Sequence, residues 1–94
     1  MKIHSRGSET VIGACDEDCL GQKLRQDKLR FDVSEFFFKG DLIPIDKAVP
    51  LLKNATSFNV IGKNIIDKLI ELQIIHQEAL VFIDGVPIAL KFNF

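Results

Sequence analysis

A chain of 94 residues, 47% apolar and 27% charged, has the composition of one small folded domain over 1–94. That composition excludes a disordered tail, a collagen-like repeat and a second core. Twelve Lys and Arg against 13 Asp and Glu leave a net charge of −1, so no global field draws the chain onto nucleic acid or an anionic membrane, and any such contact must come from a local patch.

The first fifteen residues alternate Ile3 with polar neighbours, break at Arg6-Gly7-Ser8 and resume as Thr10-Val11-Ile12, which predicts a hairpin. Asp16 is placed to cap a single helical turn through Glu17, Asp18, Cys19 and Leu20, with Gly21 supplying the left-handed residue that ends it. From Lys28 to Ser34 the period is two: Leu29, Phe31 and Val33 share one face and Lys28, Arg30 and Asp32 the other, the pattern of a half-buried strand. Ser34 opens a short turn through Phe36, Phe37 and Phe38 that Gly40 closes.

Asp46 to Asn54 reads as a helix with Ala48, Leu51 and Leu52 inward, and Pro50 is expected near its first turn. The strongest helical pattern runs from Ser57 or Asn59 to Leu72, with Ile61, Ile65, Ile66, Leu69, Ile70 and Leu72 at helical spacing and a favourable Lys63/Asp67 pair outside. Ala79–Ile83 and Val86–Phe92, joined by Asp84-Gly85, form a second hairpin with a type I′ turn; Pro87 predicts an edge strand or a bulge. The element order gives an α+β fold, a mostly antiparallel sheet with N- and C-terminal hairpins and two covering helices. Leu29, Phe31, Val33, Ile61, Ile65, Leu69, Phe82 and Leu90 are the expected core.

The string Cys15-Asp16-Glu17-Asp18-Cys19-Leu20-Gly21, followed by Leu29-Arg30-Phe31-Asp32-Val33-Ser34, Phe37 to Gly40, Ala55-Thr56 through Asn59, Ile61 and Gly62, and Gly85-Val86-Pro87, resembles the small archaeal proteins of domain-of-unknown-function family 424. The resemblance spans nearly the whole chain and implies a compact α+β fold, an archaeal cytosol and an association with translation genes. It carries no settled activity. Many members of that family carry a His-Ala pair after Gly-Val-Pro where this chain has Ile88-Ala89, so any chemical role of that His in relatives is absent here.

No apolar run approaches the ~18 residues of a membrane span, and MKIHSRGSET lacks the apolar region of a secretory signal, so the expected location is the cytoplasm. Cys15 and Cys19, the only cysteines, are expected to be reduced. At i, i+4 they could offer two soft ligands, but a structural zinc site wants four and His4 and His76 are distant in sequence, so no metal or other cofactor is expected. Cys15 as a nucleophile would need a helix N-terminus to lower its pKa, and Asp16, Glu17 and Asp18 oppose that. Those three acids lack the spacing of an EF-hand, and Gly62-Lys63 lacks the rest of a phosphate-binding loop. No catalytic residue is assigned.

Between Gly21 and Arg30 four cations, Lys23, Arg25, Lys28 and Arg30, face one Asp27. A basic strand beside Phe36, Phe37 and Phe38 is one way to hold single-stranded RNA. The expected function is therefore a non-enzymatic, translation-associated accessory protein that binds RNA or the ribosome through these four residues, with no affinity for DNA or membrane. A small enzyme or ligand-binding domain with its site near Cys15 and Asp16 is the alternative. A protein-interaction adaptor using Leu90, Phe92 and Phe94 is a third.

Overall fold

The two N-terminal stretches do pair. In the computed structural model, which describes residues 1–92, β1 (Lys2–Arg6) and β2 (Glu9–Cys15) are antiparallel and joined through Gly7, at φ 62°, and Ser8. A 3₁₀ turn at Glu17–Cys19 follows and Gly21 takes φ 85°. A second, smaller hairpin comes next, from β3 (Lys23–Gln26) and β4 (Leu29–Asp32), turning through Asp27 at φ 56° and Lys28. The Phe-rich turn is a one-turn helix, α1 (Glu35–Phe38), whose N-terminus is capped by the Ser34 hydroxyl accepting from the Phe37 N–H at 3.2 Å.

Helix α2 (Ile45–Asn54) starts after Pro44 and carries Pro50 inside it, beyond the first turn where the sequence placed it. The missing N–H costs one backbone bond on an exposed side of the helix, and the Asn54 amide donates to the Pro50 carbonyl at 3.0 Å. Leu51, expected inward, is 43% exposed.

The long helical pattern from Ser57 divides in two. Ser57–Ile61 is strand β5, and only Lys63–Glu71 is helix, α3, with Ile65, Ile66 and Leu69 buried and Leu72 just past its end and half-exposed. Phe58, Val60 and Ile61 are strand formers, and the break falls at Gly62, whose φ of 120° no residue with a side chain adopts readily. After a 3₁₀ turn at Gln77–Ala79, β6 (Val81–Ile83) and β7 (Val86–Phe92) close the chain through Asp84 and Gly85 at φ 54° and 77°, the type I′ signature.

Five strands form one sheet in the order β1-β2-β5-β7-β6, antiparallel except for β2 beside β5; β3 and β4 are a separate ribbon. This is the α+β, mostly antiparallel architecture read from the sequence. Pro87 lies in β7, an interior strand, rather than at an edge. In a two-residue hairpin the closing Ile83–Val86 pair is the hydrogen-bonded one, so Pro87 opposite Phe82 needs no donor toward β6. On its other side β5 has already ended, and the Gly62 N–H donates to the Pro87 carbonyl at 3.1 Å.

Each sheet face has its own core. On the first, Ile12, Ala14, Phe58, Val60 and Ala89 pack under α2 and α3. On the second, Ile61, Ile83 and Ile88 pack under Leu24, Val33, Phe38 and Cys19, brought by the β3–β4 ribbon, α1 and the 3₁₀ turn. Val33, Ile61, Ile65 and Leu69 are buried as expected and Phe31 is half-buried, whereas Leu29, Phe82 and Leu90 are 45–52% exposed. The pattern placed them on apolar faces, but Leu29 sits beside the ribbon's turn, Phe82 on the edge strand and Leu90 beyond the part of the sheet that the ribbon covers.

The one parallel pair is tied at both ends by side chains. At its start the Thr56 hydroxyl accepts from the Thr10 N–H at 2.8 Å and donates to the Thr10 carbonyl at 2.6 Å. At its end Asp16, which follows β2, reaches the first turn of α3, which follows β5. Among the described residues no helix is long and apolar enough to cross a membrane.

Candidate functional site

Asp16 was expected to cap its own turn, and its side chain makes no bond there. Its carboxylate instead accepts the N–H of Asn64 at 2.9 Å and of Ile65 at 3.0 Å, capping α3 from 48 and 49 residues away. Gly62 is required twice over: beyond its φ, a Cβ there would lie 2.5 Å from the Asp16 Cγ. The phosphate reading of Gly62-Lys63 is thereby closed, because the α3 N-terminus already holds a resident carboxylate and Lys63 is paired with Asp67 at 2.7 Å.

Beside this cap lies a cleft of about 430 Å³ between the carboxyl end of β2, the segment leading into α2 and the first turn of α3, walled by Ala14, Ile43 and Ile65 and rimmed by Cys15, Asp16, Asp18 and Asp41. Burial pushes the Cys15 thiol above its ordinary pKa, with Asp16 and Asp18 adding to the rise against the opposing amino terminus. Burial, then Asp18, Asp16 and Cys15, push Cys19 up to about 11. Both are neutral thiols at neutral pH, the reverse of what a nucleophile requires. Oxygen and sulfur atoms of Asp16, Asp18 and Cys19 lie within 4.8 Å of one another, but both Asp16 oxygens are engaged by α3 and the Cys19 sulfur holds its proton. Ile88 is 2% exposed in the second core.

The four predicted cations are brought together on the β3–β4 ribbon, with one rearrangement. Leu24 and Phe31 are cross-strand partners turned into the second core, so the alternate residues Lys23, Arg25, Arg30 and Asp32 form the outer face. Arg25 lies directly opposite Arg30, and Lys23 opposite Asp32. Lys28, expected on a strand, occupies the turn and is exposed. Among the described residues none of the four forms an ion pair with a carboxylate. Like charges opposite each other on a ribbon repel, and the sequence alone could not show this juxtaposition because it depends on register.

The Phe residues divide. Phe38 is in the second core, Phe37 lies half-buried with its ring stacked on His4 at 4.5 Å, and Phe36 is 80% exposed with the Lys2 ammonium 4.8 Å from its ring centroid. Of the C-terminal trio, Leu90 and Phe92 are exposed on β7; Phe94 lies outside the described residues.

No curated protein matches the chain. A crystal structure of an uncharacterised conserved protein from Methanopyrus kandleri is similar to it at 23% identity with a TM-score of 0.78, over 95% of this chain and 85% of that one, a likeness of fold. The sequence pattern of the family described as protein of unknown function (DUF424) covers residues 3–94, and the chain belongs to that family.

Proposed function

We propose that the protein is a non-enzymatic RNA- or ribosome-binding accessory of translation that grips phosphates with the outer face of the β3–β4 ribbon. The observation that supports this reading is Arg25 set opposite Arg30 with no carboxylate partner. A repelling pair held by a register serves an anion that bridges it, and two guanidinium forks are suited to phosphate oxygens. Lys23 and the turn residue Lys28 flank the pair. Without these four charges the rest of the chain carries −5, which confines polyanion contact to the ribbon.

Arg25→Glu with Arg30→Glu tests it. Binding of the parent to single-stranded oligoribonucleotide through four phosphate contacts should fall with salt at a log–log slope of roughly −3. The double variant should lose that binding, and co-sedimentation with ribosomal subunits at low salt, while keeping its melting temperature, since exposed charges contribute little to stability. Equal binding by parent and variant removes the ribbon from the interface.

The cleft of about 430 Å³ beside Asp16 favours a second reading, a small-ligand site near Cys15 and Asp16. Loss of ribosome association in the parent, with a small molecule co-purifying, would select it.

A further inference from the structure

Positive charge is not spread evenly along the ribbon. Counted from the Asp27-Lys28 turn, the cross-strand pairs are Gln26–Leu29, Arg25–Arg30, Leu24–Phe31 and Lys23–Asp32. The closing pair of a two-residue hairpin is the hydrogen-bonded one, so Arg25–Arg30 is a non-hydrogen-bonded pair, the kind whose Cα atoms stand roughly 4.5 Å apart and whose side chains approach closest. Both arginines are exposed, and among the described residues neither side chain has an ion pair or a hydrogen bond. On each side of them a cation and an anion cancel: Lys28 and Asp27 at the turn, Lys23 and Asp32 two positions, or about 7 Å, along the strands the other way. The uncompensated charge is therefore concentrated in one spot, the two guanidiniums.

We propose that the Arg25–Arg30 pair receives the terminal phosphomonoester of an RNA strand, so that the ribbon holds an RNA end and not the middle of a chain. The inference rests on the RNA reading above and names the form of RNA that the same site selects.

Charge and geometry both favour the end. A phosphomonoester carries about −1.5 to −2 charges at pH 7 and three free oxygens, against one charge and two free oxygens for each phosphodiester inside a chain. Two guanidinium forks side by side offer paired donors from two directions. A near-dianion with three oxygens satisfies both forks, whereas a diester leaves half of their charge unmatched. An internal stretch of strand would draw on a long stripe of cations, and here the stripe stops on either side of the pair, where each further phosphate meets Asp27 or Asp32 as well as Lys28 or Lys23. Like charges brought together at an interface work against binding, so a strand gains most by presenting the group with the densest charge, its phosphorylated terminus, to the pair. Leu24 and Phe31 turn the opposite way, toward the second core, which leaves Lys23, Lys28, Asp27 and Asp32 as the charged neighbours of the pair on this ribbon.

One oligoribonucleotide, prepared with a 5′-phosphate, with a 3′-phosphate or with hydroxyls at both ends, tests this at a fixed salt concentration. The parent should bind at least one phosphorylated form about ten- to a hundredfold more tightly than the hydroxyl form, the gain for one further charge-assisted contact, and the form that gains identifies the end held. The monoester loses its second charge with a pKa near 6, so the ratio of the two affinities should shrink as the pH falls through that value; a ratio measured on one protein cancels the protein's own titration. Arg25→Gln should abolish most of the preference and leave the melting temperature unchanged, because the residue is exposed. Asp27→Asn with Asp32→Asn lengthens the cationic stripe and should strengthen the hydroxyl form more than the phosphorylated one. Equal affinity of the parent for all three forms, with all three lost in the Arg25→Glu/Arg30→Glu variant, would overturn the end site and leave the ribbon reading intact. Equal binding by parent and that double variant would overturn the ribbon and the end site together. A preference that survives Arg25→Gln undiminished would place the terminal phosphate elsewhere, and adenosine monophosphate bound as tightly as the phosphorylated oligomer would assign the pair to a free nucleotide; either result overturns the proposal.

Discussion

Replacing Asp16 by Ala is expected to lower stability by about 1–3 kcal/mol, although the residue is polar, only half-buried and remote in sequence from what it supports. Two contributions build that figure. Loss of a helix cap costs typically ~1 kcal/mol and up to ~2, and here one carboxylate serves two N–H groups, those of Asn64 and Ile65. Removing a negative charge from the positive end of the α3 dipole adds about 0.3–1 kcal/mol. For a domain of this size 1 kcal/mol corresponds to roughly 4–8 °C in melting temperature, so Asp16→Ala should melt about 5–20 °C below the parent. Asp16→Asn, which keeps one acceptor oxygen and no charge, should fall between them. Gly62→Ala supplies the internal control. Its Cβ would collide with the Asp16 carboxylate, so the substitution should cost less in the Asp16→Ala background than in the parent, a coupling that a double-mutant cycle reads directly. Thermal and urea unfolding measure the four proteins of the cycle and Asp16→Asn. An Asp16→Ala variant within 0.5 kcal/mol of the parent, or strict additivity with Gly62→Ala, would refute the reasoning.

Ile65→Ala should lower the urea midpoint by the equivalent of roughly 2–5 kcal/mol, since Ile65 is a large aliphatic in the first core; an unchanged midpoint would mean that α3 does not pack as described. Cys19 holds its proton up to about pH 11 when folded, against 9.0 for a free thiol. A raised pKa contributes stability that is complete below pH 9 and lost as pH climbs through 11, so the parent should weaken over that window and Cys19→Ala should weaken less. Alkylation of the folded protein at pH 8 should correspondingly be slow, and rapid labelling of both thiols would contradict the burial of Cys19. Ile88→His should destabilise this chain, because the imidazole would enter a core site 2% exposed; unfolding in urea is again the check.

Local chemistry was legible wherever the determinant lay within a few residues. Asp84-Gly85 carries its own turn type, the stripe of Ile65, Ile66 and Leu69 carries α3, and Ser34 marks the start of the Phe turn that forms α1. Strand β5 was hidden because Phe58, Ile61 and Ile65 fall three and four positions apart, so a strand and the helix after it read as one helical stripe; Gly62 was the sign of the break. With β5 hidden, its parallel pairing with β2 and the topology of the sheet centre were hidden too. The four ribbon cations could be found by counting charge, yet the opposition of Arg25 and Arg30 needed the Asp27-Lys28 turn to be recognised. Asp16 stands at a helix start by every local rule, and its true partners are set by tertiary contact alone. The exposure of Leu90 could not be read either, because it depends on how far a separate ribbon reaches across the sheet.

The ties at the two ends of the β2–β5 pair bear on misfolding. A slip of one residue between these strands would turn Phe58 and Val60 out of the first core, so burial forbids it. A slip of two residues would keep every apolar side chain on its proper face, and burial would resist it only through imperfect packing. That slip would carry Thr56 away from the Thr10 backbone and Asp16 away from the first turn of α3 together, since both ties straddle the same two strands. The polar side chains at the strand ends thus supply the discrimination that the alternation of the core cannot, and a chain lacking both would be expected to populate shifted sheets alongside the native one.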